Sequence, residues 1–109
     1  MVHEGEVLAT DVDVADTTLA QARGRMFTRS IPDDYALVFR FDDAETRDVH
    51  MLFVPYPLDV LWLVDGEVER VKRLHSWVGF GRARADTLVE LPAGVADGVD
   101  LGDEVVVDG

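Results

Sequence analysis

Apolar and polar residues alternate with a period of two along much of this chain, the pattern of half-buried β-strands. From Val7 to Ala15, Leu8, Val12 and Val14 share one face while Ala9, Asp11 and Asp13 share the other. The period then lengthens. Asp16 is placed to cap a helix from about Thr17 to Met26, with Leu19, Ala22 and Met26 at helical spacing. Gly24 within it costs about 1 kcal/mol relative to Ala, so it either ends the helix or admits a neighbouring backbone. Ser30 to Asp34 reads as a turn. Alternation returns with Tyr35, Leu37, Phe39 and Phe41 set against Ala36, Val38, Arg40 and Asp42, followed by a polar loop from Asp43 to Arg47.

Two nearly continuous apolar runs follow, Val49 to Val54 and Leu58 to Val64, short enough to be strands buried on both faces. Pro55 and Pro57 fit neither a helix nor a central ladder and mark the bend between them. Asp65-Gly66 is a two-residue hairpin signal, and Glu67 to Leu74 is the returning strand. Residues 75–86, rich in Gly, Arg and aromatics, read as a long loop. Thr87 to Leu91 and Glu104 to Val107 are the last strands, with one helical turn over Pro92 to Gly98 and a final turn at Gly102-Asp103. Seven or so strands and one N-terminal helix predict a mainly β chain, α+β by content. The expected architecture is an antiparallel β-sandwich or partly closed barrel with the helix over one face or end. Nothing resembling a linker or repeat divides residues 1–109, so a single domain is expected.

Charge changes this picture. The chain carries 22 acidic and 10 basic side chains, a formal charge of −12. There are 15 Asp to 7 Glu, 9 Arg to one Lys, and no Asn. Short carboxylates hold water tightly whereas a Lys stem exposes hydrocarbon, so this balance keeps a surface hydrated in concentrated salt. At molar ionic strength the Debye length shrinks to about 3 Å and screens the self-repulsion. A protein of a salt-accumulating archaeon is the expectation. Residues 1–22 hold five acids and no Lys or Arg, and residues 85–109 hold seven and none, so residues 23–84 are neutral overall. No basic, apolar leader opens the chain, and the longest apolar run, Met51 to Leu58, is too short to cross a bilayer. A cytoplasmic protein without a membrane span is expected. With no Cys, thiol chemistry and disulfides are excluded.

Three ordered segments resemble a known family: Arg23-Gly24-Arg25-Met26-Phe27 with Arg29 and Ile31-Pro32; His50-Met51 leading to Pro57-Leu58-Asp59-Val60-Leu61-Trp62; and Val89-Glu90-Leu91-Pro92-Ala93-Gly94 with Gly98 and Gly102-Asp103. Their order and spacing resemble domain of unknown function 192, also called uncharacterised protein family 0127, over roughly residues 7–107. The resemblance implies a compact β-rich fold and no particular activity.

The chemistry-bearing residues allow several readings. Asp59, in an apolar strand, must be paired, capped by backbone N–H groups, or functional. The preferred reading is a turn-capping Asp; the alternative is a pocket acid paired with Arg23 or Arg29. Glu90 is most simply solvent-facing, though with Asp59 it would offer a carboxylate pair for acid–base work in a hydrolase or lyase. His50 and His75 lack metal-ligand spacing, so no metal or cofactor is expected. Gly79-Phe80-Gly81 completes no phosphate- or dinucleotide-binding motif.

Residues 67–84 hold five bases and two acids, an island of +3. Arg70, Lys72, Arg73, Arg82 and Arg84 interleave with His75, Trp77 and Phe80, a composition able to engage phosphates and stack on bases. The preferred reading pairs these Arg with the acidic ends and drops Trp77 and Phe80 into the core. A nucleic-acid module ranks below it. The leading functional expectation is a non-enzymatic binding or accessory module for a small ligand or protein. Its site would draw on the helix end (Arg23, Met26, Arg29), the proline bend (His50, Pro57, Asp59) and the basic loop (Trp77, Arg82, Arg84). No oligomeric state is assigned.

Overall fold

The alternating segments form strands, and their pairing explains which face of each is apolar. The computed structural model describes residues 1–15, 31–51 and 54–107. Among them the elements are β1 (Val2–His3), β2 (Glu6–Val7), β3 (Asp11–Ala15), β4 (Tyr35–His50), β5 (Leu58–Val64), β6 (Glu67–Leu74), β7 (Phe80–Pro92) and β8 (Val105–Val106). A five-stranded sheet has the order β3-β4-β7-β5-β6, and a three-stranded sheet the order β2-β1-β8. β3 runs parallel to β4; the other pairings are antiparallel. β3 and β6 are edges of the larger sheet, so it is open rather than a closed barrel.

Both faces of the larger sheet are buried, which is why β5 reads as an unbroken apolar run. One face carries Leu37, Phe39, Leu58, Val60, Trp62 and Leu88; the other carries Ala36, Val38, Leu61, Leu63, Val89 and Leu91. The second face is covered by Met1, Ala9, Ala96, Val99 and Val105, from the three-stranded sheet and the turns before it. The smaller sheet is tied to the start of β6 by Val105 N–H donating to Gly66 O (2.8 Å) and Val68 N–H to Asp103 O (2.9 Å). Asp65 (φ 50°) and Gly66 (φ 82°) supply the two left-handed residues that the β5–β6 hairpin turn requires, and Glu4 and Gly5 (φ 49° and 80°) repeat the geometry between β1 and β2.

A register irregularity between Arg40 and Glu45 bends the long β4–β7 ribbon over the first face. Val49, Ala83 and Ala85 from the ribbon join the core there. Trp62 is fully buried beneath it, its indole N–H donating to Arg47 O at 3.0 Å. Gly81 is the point of closest approach: a Cβ on it would overlap the Trp62 ring. Lys72 Nζ donates to Phe80 O (2.8 Å), linking β6 to the ribbon without a ladder.

Several expectations change. β4 continues through residues 43–47, which the sequence reads as a loop: after the irregularity its ladder with β7 resumes at Glu45. β4 then ends at His50, so Val49 belongs to β4 and Met51 and Val54 lie outside any strand, while residues 52 and 53 of the expected Val49–Val54 strand lie outside the described residues. β7 starts at Phe80, leaving only residues 75–79 of the expected 75–86 loop. The Val7–Ala15 strand is split between β2 and β3, and β1 is additional. Over Pro92 to Val99 successive i→i+3 bonds make turns rather than a helical turn. The expected helix over Thr17–Met26, and with it Arg23, Met26 and Arg29, lies outside the described residues.

Candidate functional site

Asp59 opens β5 on the second face and is 3% exposed. Its Oδ2 accepts from the backbone N–H groups of Gly94 (2.9 Å) and Ala96 (3.1 Å), and its Oδ1 from Arg73 Nε (2.9 Å). Arg73 also pairs with Asp97. All of these groups are spoken for: Asp59 caps the turns after β7 and anchors them to β6. Turn-capping is therefore the arrangement found, and the Arg partner is Arg73. A depression of about 290 Å³ lies beside it, lined in part by Arg73, Asp97 and Val99.

Glu90 is fully buried, not solvent-facing. It pairs in register with Val60 and Leu37, so it points to the first face, whereas Asp59 pairs with Leu91 and points to the second. The two carboxylates do not form a site.

The proline bend and the 75–79 loop, by contrast, are brought side by side. Trp77 N–H donates to Val54 O (3.0 Å) and Met51 N–H to Gly79 O (2.9 Å), while His50 pairs with Phe80 at the end of the ribbon. Within the loop, Gly79 N–H donates to His75 O at 3.0 Å. Gly is required there because a Cβ would lie 2.7 Å from the His75 backbone. The loop is thus held by backbone bonds from both sides.

What it presents is apolar. Trp77 is 53% exposed, Val78 80% and Phe80 47%, with Pro55 and Pro57 exposed on the bend. These residues are not in the core, contrary to the expectation for Trp77 and Phe80: the tight Gly79 turn and the Gly81–Trp62 contact turn Gly81, Ala83 and Ala85 inward and Phe80, Arg82 and Arg84 outward. Trp77 also adopts φ 67°. A bulky residue in the left-handed region costs about 1–2 kcal/mol.

Beside the aromatics, Arg82 forms a two-pronged pair with Asp48 across the ladder (Nε–Oδ1 2.5 Å, Nη2–Oδ2 2.9 Å) and lies 5.7 Å from the Phe80 ring centre. The Arg82 hydrogen bonds hold the Asp48 carboxyl below its usual range. Arg84, two residues on, faces outward opposite Thr46, and among the described residues it forms no ion pair with a carboxylate. Asp48 and Val78 are members of this surface that the sequence reading missed; alternation along β4 would have placed Asp48, but nothing local marks Val78. A separate group, His3, Glu4 and Asp103, has ligand atoms within 4.8 Å of one another, with His3 Nε2 already 2.8 Å from Asp103 Oδ2.

Comparison with known proteins gives a consistent family and fold. Residues 1–107 match the model of the family DUF192, described as an uncharacterized ACR. A UPF0127 protein of Thermococcus sibiricus is 35% identical over 109 residues, covering 94% of this chain and 69% of the relative. A crystal structure of a protein of unknown function from Novosphingobium aromaticivorans superposes with TM-score 0.74 at 22% identity, over 88% of this chain and 74% of the other. A second, from Sinorhizobium meliloti 1021 and described as a proposed transcription regulator, gives TM-score 0.71 at 23% identity, over 85% and 78%. At these identities the two structures speak to the fold alone.

Proposed function

This chain belongs to the DUF192 family of uncharacterised proteins, and from the surface it displays we propose that it is a non-catalytic docking module. The contact surface comprises His50 and Pro57, the Trp77–Val78 tip, and the outward row Phe80, Arg82 and Arg84. The observation that carries this reading is Trp77: a large aromatic held at φ 67° and half exposed on a loop fixed by backbone bonds. Strain at an exposed aromatic is what a pre-organised recognition surface displays. Of the partners expected from the sequence, a macromolecular one fits better than a small ligand, because a residue as exposed as Val78 projects from the surface rather than being enclosed in a pocket.

The test is an NMR titration with peptides and saccharides that follows the two indole N–H signals. Trp77 is expected to shift while buried Trp62 stays still, and Trp77→Ala is expected to abolish binding. Ligands that bind and leave the Trp77 signal in place would defeat the proposal.

The carboxylate-pair hydrolase is not carried forward, since Asp59 and Glu90 point to opposite faces. Nucleic acid ranks second: Phe80, Arg82 and Arg84 share a face, but Arg82 is engaged by Asp48 and Arg73 by Asp59 and Asp97. The Asp-rich, Lys-poor composition supports a protein that works in concentrated salt, in an archaeal cytoplasm.

A further inference from the structure

The 75–84 surface has a specific character: a convex apolar tip inside a basic collar. Trp77, Val78 and Phe80 are exposed. Lys72 bonds to Phe80 O, Arg82 lies near the Phe80 ring while paired with Asp48, Arg84 is exposed two residues further along β7, and Arg73 beside Leu74 is paired with Asp59 and Asp97. Part of the acidic C-terminal stretch lies apart from the tip, although Asp97 pairs with Arg73 at the end of β6 beside it. Asp103 and Glu104 meet the start of β6 through the Val68–Asp103 bond and the Glu67–Glu104 bridge, whereas the tip follows the end of β6 at Leu74. Eight extended residues span roughly 25 Å, beyond the Debye length of about 8–10 Å at ordinary ionic strength and about 3 Å in concentrated salt, where the basic groups act only at direct contact with headgroups. An anionic surface meeting the tip therefore experiences Lys72 and Arg84 together with the paired Arg82 and Arg73, and little of Asp103 and Glu104.

Protein partners of comparable size more often take an aromatic anchor into a pocket. Here the anchor belongs to this chain, and it stands on a rigid protrusion whose exposed ring, isopropyl and phenyl groups match an interface that deforms around them. Trp at such a boundary places its apolar body in the hydrocarbon margin and its N–H in the polar layer. Lys and Arg at the same depth meet anionic headgroups.

We infer that the Trp77–Val78–Phe80 tip is a peripheral docking site for an anionic lipid surface. This inference rests on the docking reading above and names its partner. It requires no spanning segment: the tip enters only the interfacial layer, and the collar sets the orientation.

The full chain is tested by co-sedimentation with vesicles of phosphatidylcholine alone and of phosphatidylcholine with an equal part of phosphatidylglycerol. Binding to the anionic vesicles is expected to exceed binding to the neutral ones by roughly tenfold or more at low salt. Fluorescence is expected to shift to the blue in the wild type and not in Trp77→Ala, which retains only Trp62. Trp77→Ala and Val78→Asp should each lower partitioning several-fold, and Lys72→Glu with Arg84→Glu should remove the preference for anionic lipid; all four positions are exposed, and circular dichroism confirms folding. Equal binding to both vesicle types, or none to either, overturns the lipid inference. If vesicles fail while a titrated peptide shifts the Trp77 signal, the docking reading stands and its partner is a protein. Vesicle binding undiminished by Trp77→Ala overturns both.

Discussion

Asp59 and Glu90 sit on neighbouring rungs of the β5–β7 ladder and face opposite sides of the sheet. Their proximity in the fold is therefore not a shared chemistry. Asp59 joins backbone to backbone: removing its carboxylate leaves the Gly94 and Ala96 N–H groups and Arg73 without an acceptor. Asp59→Ala is expected to lower the unfolding free energy by about 2–4 kcal/mol, and Asp59→Asn by less, because an amide oxygen still accepts. Urea unfolding measures both, and a loss within half of about 1 kcal/mol would refute the capping role.

Trp77 predicts the reverse relation between stability and use. Asn tolerates the left-handed region better than Trp, so Trp77→Asn is expected to hold or raise stability, by up to about 1 kcal/mol, while removing docking. Thermal unfolding and binding measured on the same variant show whether the two separate.

Gly81 is required by packing and not by backbone conformation. Gly81→Ala drives a methyl into the Trp62 ring, with an expected cost of about 1–3 kcal/mol and a change in Trp62 emission. Gly98, whose added Cβ meets nothing, is the control: Gly98→Ala should change stability little.

Stability should fall at both ends of the pH scale. Asp48 titrates below the ordinary 3.8 chiefly through its Arg82 hydrogen bond, and Asp103 does so through the Asp100 N–H and then His3. A lowered carboxyl stabilises the folded state fully above its unfolded value, and that stability is lost as pH falls from about 4 through the folded one. Tyr35 moves the other way, raised by burial first and then by its bond to Asp13 (2.8 Å). Its contribution is complete below the ordinary 10.0 and is lost as pH rises above it. Melting temperatures across this range, with Asp103→Asn flattening the acid limb and Tyr35→Phe the alkaline one, provide the check.

Salt should stabilise. With a net charge of −12, raising potassium chloride from tenths of a molar to several molar screens repulsion and strengthens apolar burial. A melting temperature higher by several degrees is expected; a decline would remove the argument for a salt-adapted protein.

The strands legible in the sequence are those whose side chains obey the usual polarity. β5 and β6 were readable to the residue, as was the Asp65-Gly66 turn, because large apolar groups alternate or run together and the turn chemistry is local. The start of β7 was not, since its inward positions are Gly81, Ala83 and Ala85 and its outward ones Phe80, Arg82 and Arg84. The pattern is inverted by the Trp62 ring, which fills the space that larger inward residues would need. That contact lies far away in sequence. The same limit applies to the site. Asp59 as a turn cap follows from its own neighbours, while the outward Trp77 depends on bonds to Val54 and Gly79 that only the folded ribbon provides. The parallel pairing of β3 with β4 is likewise set by tertiary arrangement and leaves no mark in the alternation.

The β4–β7 ribbon also has a kinetic consequence. Its ladder joins Leu37 to Glu90 and His50 to Phe80, and the β5–β6 hairpin lies between those partners in the chain. That hairpin closes locally and is the natural early event, whereas the ribbon closes a long loop before its contacts reward the closure. Trp62 emission in refolding is thus expected to report the docking of the ribbon, through the closing of Gly81 onto its ring.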